Sequence, residues 1–246
     1  MKHELIYGLH AVQSLLKSTP QRAKELLVLR GRDDQRLQKV TQQARQLSLP
    51  VRLQTRAEMD ALCDGNHQGV AIYATPGKLH DERFLWALLE NGEHTPFLLV
   101  LDGVTDPHNL GACLRSADAA GVQAVIIPKD NSASINETVR KVACGAAETV
   151  PLIPVTNLAR TLKTLQDKGV WIVGTAGEST VSIFDAPLKG PLAVVMGAEG
   201  KGMRRLTREH CDHLAYIPMV GSVSSLNVSV ATGVCLFEAL RQRQLS

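Results

Sequence analysis

From Phe97 onward, short apolar runs alternate with stretches of helical spacing, and this alternation constrains the fold more than any other feature. FLLVLD (97–102), VQAVIIP (122–128), VWIVGTA (170–176) and PLAVVMG (191–197) carry almost no polar residues. Runs of this kind make strands buried on both faces. Between them LGACLRSADAAG (110–121), INETVRKVACG (135–145) and NLARTLKTLQDKG (157–169) read as helices. Gly121 and Gly169 stop the first and the last, and Thr156 or Asn157 caps the last. TVPLIPV (149–155) is extended, MRRLTREHC (203–211) is a helix, HLAYIP (213–218) a strand, and SSLNVSVATG (224–233) leads the final helix. Apolar strands alternating with helices predict an α/β domain with a mostly parallel sheet covered on both faces.

The first 75 residues form a second, smaller α/β pattern. YGLHAVQSLLKS and DDQRLQKVTQQARQL are helical, AEMDALC is a short helix, and ELLVL, VRLQT and GVAIYAT are strands. Between residues 76 and 96 the pattern weakens around FLWALLE, which predicts a linker with one short helix. The expected division is therefore 1–75, 76–96 and 97–246. A chain of 246 residues accommodates one large domain or two smaller ones.

Charge is unevenly spread. Residues 1–75 hold 11 Lys and Arg against 7 Asp and Glu, while the rest of the chain holds 16 against 17. The basic excess of the N-terminal third suits a polyanion. Aromatic residues make up only 4% of the chain, which argues against an aromatic stacking platform for bases. Five widely spaced cysteines without a CxxC fit a reducing compartment, with Cys113, Cys144 and Cys235 expected in the core. The N-terminus lacks a signal-peptide core, and no run reaches membrane-spanning length. The expectation is a cytoplasmic protein with no membrane segment.

Three segments break the pattern just after strands, where open α/β sheets place ligands. DGVTDPHNLGACLRSA (102–117) offers Asn109 as a cap and sets Arg115, with its fork of donors, in a helix of small residues. Such a guanidinium calls for an anionic partner or ligand. MGAEGKGM (196–203) is glycine-rich, with Glu199 at its centre. Its G-x-x-G-x-G spacing is neither a dinucleotide fingerprint nor a P-loop. In the third segment Ser224, Ser225, Asn227, Ser229 and Thr232 crowd one helix entrance, where a cap uses one side chain. His210, Cys211, Asp212 and His213 lack the further spaced ligands of a metal site, so no metal is expected.

NLGACLRSA (109–117), VVMGAEGKGM (194–203) and IPMVGSVSSLNVSVATGVCLFEA (217–239), in this order, resemble the three motifs of the SpoU/TrmH family in the SPOUT superfamily. YGLHAV and HQGVA near the start resemble that family's L30e-like substrate-binding domain. The resemblance implies a C-terminal domain closed by a deep trefoil knot, against the general rule that chains are unknotted. It implies methyl transfer from S-adenosylmethionine to the ribose 2′-hydroxyl of a guanosine in 23S ribosomal RNA, in the peptidyl-transferase region. It also implies a homodimer acting on that RNA or a large-subunit precursor. The family's polar functional positions fall on Asn109, Arg115, Glu199, Ser225 and Asn227. Its cofactor segments fall on Met196, Gly197, Ala198, Gly200, Ile217, Pro218, Met219 and Leu226. Transfer RNA as substrate, or a non-catalytic ribosome-assembly role, are the competing readings.

Overall fold

The structure is a computed structural model that describes residues 3–32, 34–63, 65–77, 80–198 and 200–244. The chain forms two compact units, one of Met1–Lys78 with Asn136–Thr149, the other of Leu79–Ile135 with Val150–Ser246.

The first unit begins with β1 (Glu4–Tyr7), α1 (Leu9–Ser18), β2 (Ala23–Leu29), α2 (Gln35–Gln46), β3 (Val51–Gln54), α3 (Arg56–Leu62) and β4 (Val70–Ala74). Its four-stranded sheet has the order β1-β4-β2-β3. β4 runs antiparallel to both neighbours, and β2 runs parallel to β3. α2 starts where the Asp34 carboxylate accepts the backbone N–H groups of Arg36 and Leu37, and it buries Leu37, Val40 and Ala44. α3 starts on a reciprocal capping box between Thr55 and Glu58. The strand ELIY is an addition to the sequence expectation, which has nothing before the first helix.

The second unit begins with α4 (Glu82–Glu90), β5 (Phe97–Asp102), α5 (Pro107–Ala120) and β6 (Ala124–Pro128). The next two helices, α6 (Glu137–Ala143) and α7 (Ala146–Thr149), belong to the first unit. The second unit resumes with β7 (Leu152–Val155), α8 (Leu158–Asp167), β8 (Trp171–Thr175), β9 (Leu192–Gly197), α9 (Arg205–Glu209), β10 (His213–Ala215) and α10 (Val228–Gln244). Its six-stranded sheet has the order β10-β8-β9-β5-β6-β7, and every pairing is parallel. All six residues of β5 are buried, so both faces are covered, as the apolar runs predict. Leu98, Val100, Ile126 and Val195 pack with Leu85 of α4 and Leu158, Leu162 and Leu165 of α8. α10 packs on α5 and β9.

Some local expectations change. The α5 cap is Asp106, whose carboxylate accepts the His108 N–H at 2.9 Å. Pro107 takes the first helical position, so Asn109 lies inside the first turn and its amide is left for other work. Asn157, not Thr156, caps α8. The final helix starts at Val228, after the polar crowd rather than through it. Cys113 and Cys235 are buried as expected, but Cys144 is exposed. It ends α6 in the left-handed conformation at φ 52°, past the residues Val139 and Ala143 that the helix buries.

Candidate active site

The order of the second sheet reverses around β5 and β9. Chain direction there is the same for both strands, so their carboxyl ends open a crevice. Asp102, the last residue of β5, pairs in register with Gly197, the last of β9. The chain then doubles back, with Ala198 and Gly202 exchanging backbone hydrogen bonds of 3.1 and 2.9 Å. A Cβ on Gly197 would lie 2.3 Å from both the Gly202 carbonyl carbon and the Met203 nitrogen, so only glycine fits. Gly200 and Gly202 have φ of +73° and +65°, the left-handed region that glycine adopts without strain. Glu199, expected at the centre of this loop, lies outside the described residues.

The far end of the loop is tied to the sheet by Asp102. Its carboxylate is fully buried and accepts the Arg204 backbone N–H at 2.8 Å and the Arg204 Nε–H at 2.7 Å. In the sequence Asp102 reads only as a turn former beside Gly103. Its one signal there is a charged residue directly after five apolar ones.

After β10 the chain runs from residue 217 to 226 without a backbone-to-backbone hydrogen bond among the described residues. This run lies outside regular secondary structure, and Ile217, Met219, Ser224, Ser225 and Leu226 line a cavity. Asn227 ends this run by capping α10. Its Oδ1 accepts the Ser229 N–H at 2.9 Å and the Ser229 hydroxyl at 2.6 Å. That fixes the amide, whose Nδ2 donates to Asn109 Oδ1 at 3.0 Å. Asn109 is itself buried. One turn later Thr232 donates to the Val228 carbonyl at 2.7 Å and meets Cys113 Sγ of α5 at 3.5 Å. The polar crowd thus divides into a cap, a partner for the cap, and a link between two helices.

These loops enclose a cavity of about 580 Å³. Seven of the expected cofactor residues line it: Met196, Gly197, Ala198 and Gly200 from one loop, and Ile217, Met219 and Leu226 from the other. Pro218 stands between two lining residues without lining the cavity itself. Ser225 and Asn227 also line it, and Asn109 joins through its bond to Asn227. Arg115 lies apart from the lining, exposed on α5. Thr175, at the end of β8, with Ala176 and Gly177 after it, forms a third wall that no motif marks. Their one signal is their position behind a buried strand.

The lining decides what can bind. The volume falls within the range of small-molecule sites. The described lining residues include no Lys or Arg, so a phosphate-bearing nucleotide would lack a counter-charge. Apolar side chains of Met196, Ile217 and Leu226 beside irregular main chain suit a neutral purine nucleoside. S-adenosylmethionine has an adenosine of that kind, and the residues fit it.

Cys211 lies nearby but is no nucleophile. Burial, with help from Asp212 and Asp102, pushes its thiol up to about 12. Asp212 accepts the Ile172 N–H at 2.8 Å and the Gln166 amide at 2.7 Å, while His213 stacks on Trp171. Those side chains have structural partners, and among the described residues no three metal-ligating groups converge.

Comparison with known proteins agrees with this geometry. Residues 96–237 match the SpoU rRNA Methylase family, and residues 5–79 match a domain described as RNA 2′-O ribose methyltransferase substrate binding. The chain is 62% identical over 240 residues to the 23S rRNA (guanosine-2′-O-)-methyltransferase RlmB of Pseudomonas aeruginosa, covering 98% of this chain and 97% of that one. It is 59% identical to the protein of the same name from Escherichia coli, covering 98% and 99%. A solved RNA 2′-O ribose methyltransferase aligns at TM-score 0.79 and 26% identity over 99% of this chain and 90% of its own. The SpoU methyltransferase AviRb of Streptomyces viridochromogenes, solved with AdoMet, has the same fold at TM-score 0.79 and 21% identity over 99% and 92%. The family match covers more than half of the chain, including the glycine loop and both cavity walls it leads to, and the chain belongs to the SpoU rRNA methylase family.

Proposed function

We propose that this protein transfers the methyl group of S-adenosylmethionine to the ribose 2′-hydroxyl of a guanosine in 23S ribosomal RNA. The observation that carries this reading is a cavity built by family motifs, without Lys or Arg among its described lining residues, whose lining residue Asn227 bonds Asn109. Relatives named for this reaction match 98% of the chain.

When bound, S-adenosylmethionine supplies an electrophilic methyl on a sulfonium. The protein's own task is to hold the hydroxyl in line with it and to favour negative charge on that oxygen. Main-chain groups around Gly197, Ile217 and Leu226 hold the cofactor in this reading. Ser225, Asn109 and Asn227 border the reacting centre. Arg115, exposed on α5, holds the target phosphate or stabilises the developing alkoxide. A guanidinium does not give up its proton at neutral pH, so it is not the base. A phosphate oxygen or a neighbouring polar group takes the proton. Glu199 orients Arg115 or Asn109.

The functional division proposed is 1–75 for RNA capture in an L30e-like domain, 76–96 as linker, and 97–246 for methyl transfer within a deep trefoil knot, with 136–149 packing in the first compact unit and α4 in the second. The knot rests on membership of the SpoU rRNA methylase family, whose model matches residues 96–237. The homodimer is supported by an apolar stripe on α10, where Val230 is 52% and Phe237 49% exposed. A ribosomal RNA substrate supports a cytoplasmic location in this reading.

The deciding experiment mixes the purified protein with methyl-labelled S-adenosylmethionine and either unmodified 23S RNA or a large-subunit precursor. The expected product is 2′-O-methylguanosine at one position. Label in transfer RNA alone, or none in any RNA, would overturn the reading. Replacing Arg36 and Lys39, exposed on α2, with Glu is expected to weaken RNA binding and leave cofactor titration unchanged.

A further inference from the structure

The fully buried Asp102 carboxylate has no part in the chemistry above, yet it makes two charge-assisted bonds to one residue. It accepts the backbone N–H of Arg204 at 2.8 Å and the side-chain Nε–H at 2.7 Å. A single backbone bond would suffice to pin the glycine loop. The second bond instead fixes a guanidinium. Arg204 remains 54% exposed in its side chain. Its two terminal amino groups, Nη1 and Nη2, have no partner among the described residues. Neighbouring surface arginines behave differently: Arg205 reaches Glu209 at 2.5 Å, and Arg208 reaches Glu178.

An arginine held through Nε presents its remaining N–H groups as a rigid fork, matched to two oxygens of a phosphate. Its side-chain entropy is spent in the free protein, so less is lost on binding. The anchor lies at the carboxyl ends of β5 and β9, the edge of the sheet that bears the proposed cofactor cavity. Arg204 is not among the described residues that line the cavity, so it stands outside the cofactor wall.

We infer that Arg204, oriented by Asp102, binds a phosphodiester group of the RNA substrate beside the methyl-transfer site. This rests on the proposed RNA reaction. Arg204 is then a substrate-binding residue and Asp102 its positioning residue.

The test compares wild type with Arg204→Ala, Arg204→Lys and Asp102→Asn, using unmodified 23S RNA and labelled S-adenosylmethionine. Arg204→Ala keeps the backbone N–H bond to Asp102, so the glycine loop stays tied. Its KM for RNA is expected to rise about tenfold, and the salt dependence of RNA binding to lose about one counterion. Its affinity for S-adenosylmethionine, read by calorimetry, is expected to stay unchanged. Arg204→Lys is expected to fall between, since it keeps the charge and loses the fork. Asp102→Asn is expected to raise the KM for RNA in the same direction. Unchanged RNA KM and salt slope in Arg204→Ala would overturn the inference. A loss confined to cofactor affinity would overturn it too and make Arg204 a strut of the loop. Wild type that methylates no RNA breaks the proposed reaction itself. Wild type and Arg204→Ala that methylate equally break only this inference.

Discussion

The two sheets solve the same burial problem with different strand directions. In the first unit β4 runs against both neighbours, and the edge strand β3 leaves Arg52 and Leu53 exposed. In the second unit all six strands run together, and β5 is buried throughout. Parallel strands deliver the chain to one edge each time, so the loops after β8, β9 and β10 collect around one cavity. A mixed sheet divides its loops between two edges and builds no such crevice. The first unit is instead distinguished by charge in its interior. Glu148 is 1% exposed in its side chain and bonds both Arg22, at 2.7 Å, and Arg140. Glu4 completes the cluster by bonding the same two arginines. Burial holds the Arg140 guanidinium below its ordinary value, with Glu4 opposing that shift.

The sharpest break of this contrast is Glu148→Ala. It leaves two half-buried guanidinium groups sharing Glu4, and the first unit is expected to lose about 3–5 kcal/mol. Urea unfolding followed by hydrogen exchange would show it, with cofactor titration of the second unit intact. Equal loss of protection in both units would show that the two do not unfold separately. Gly197→Ala attacks the other side. The added Cβ meets main chain, which cannot step aside, and the expected cost is about 1–3 kcal/mol. Calorimetry with S-adenosylmethionine reads it, and undiminished affinity would remove this loop from the cofactor wall.

Arg115→Lys is expected to slow turnover on RNA by about tenfold with cofactor affinity unchanged, because the charge remains and the fork does not. Full turnover would end the positioning role of Arg115. Asn227→Ala removes the α10 cap and the bond to Asn109, at about 1 kcal/mol of stability. A thermal melt reads that part. Turnover and cofactor affinity both at wild-type level would remove Asn227 from the site. The smallest effect is chemical. At pH 8 Cys144 is expected to react with a maleimide first, while Cys211 and Cys235, both held near 12 by burial, stay inert. Mass spectrometry of the labelled peptides would decide it.

Much of the second unit was legible because its signals are local. The apolar run 97–102 is buried strand whatever it pairs with, and Gly121 stops α5 at φ 77° for steric reasons. The excess of polar groups at 224–232 was also legible as an excess. What each group does was not, since Asn227 meets Asn109 and Thr232 meets Cys113 across more than a hundred residues. ELIY was missed because four residues beside a helix carry too little pattern, and β4 supplies the partner that makes them a strand.

By itself, the amino-acid order determined where strands and helices form, which turns require glycine, and the motifs that mark the family. These depend on backbone sterics and on burial period, which act over a few residues. Only the tertiary structure decided that 136–149 belongs with the first unit, that Cys144 faces outward, and that Asp102 holds Arg204. Each of these is a meeting of distant segments, and such meetings are selected by the packing of the whole chain.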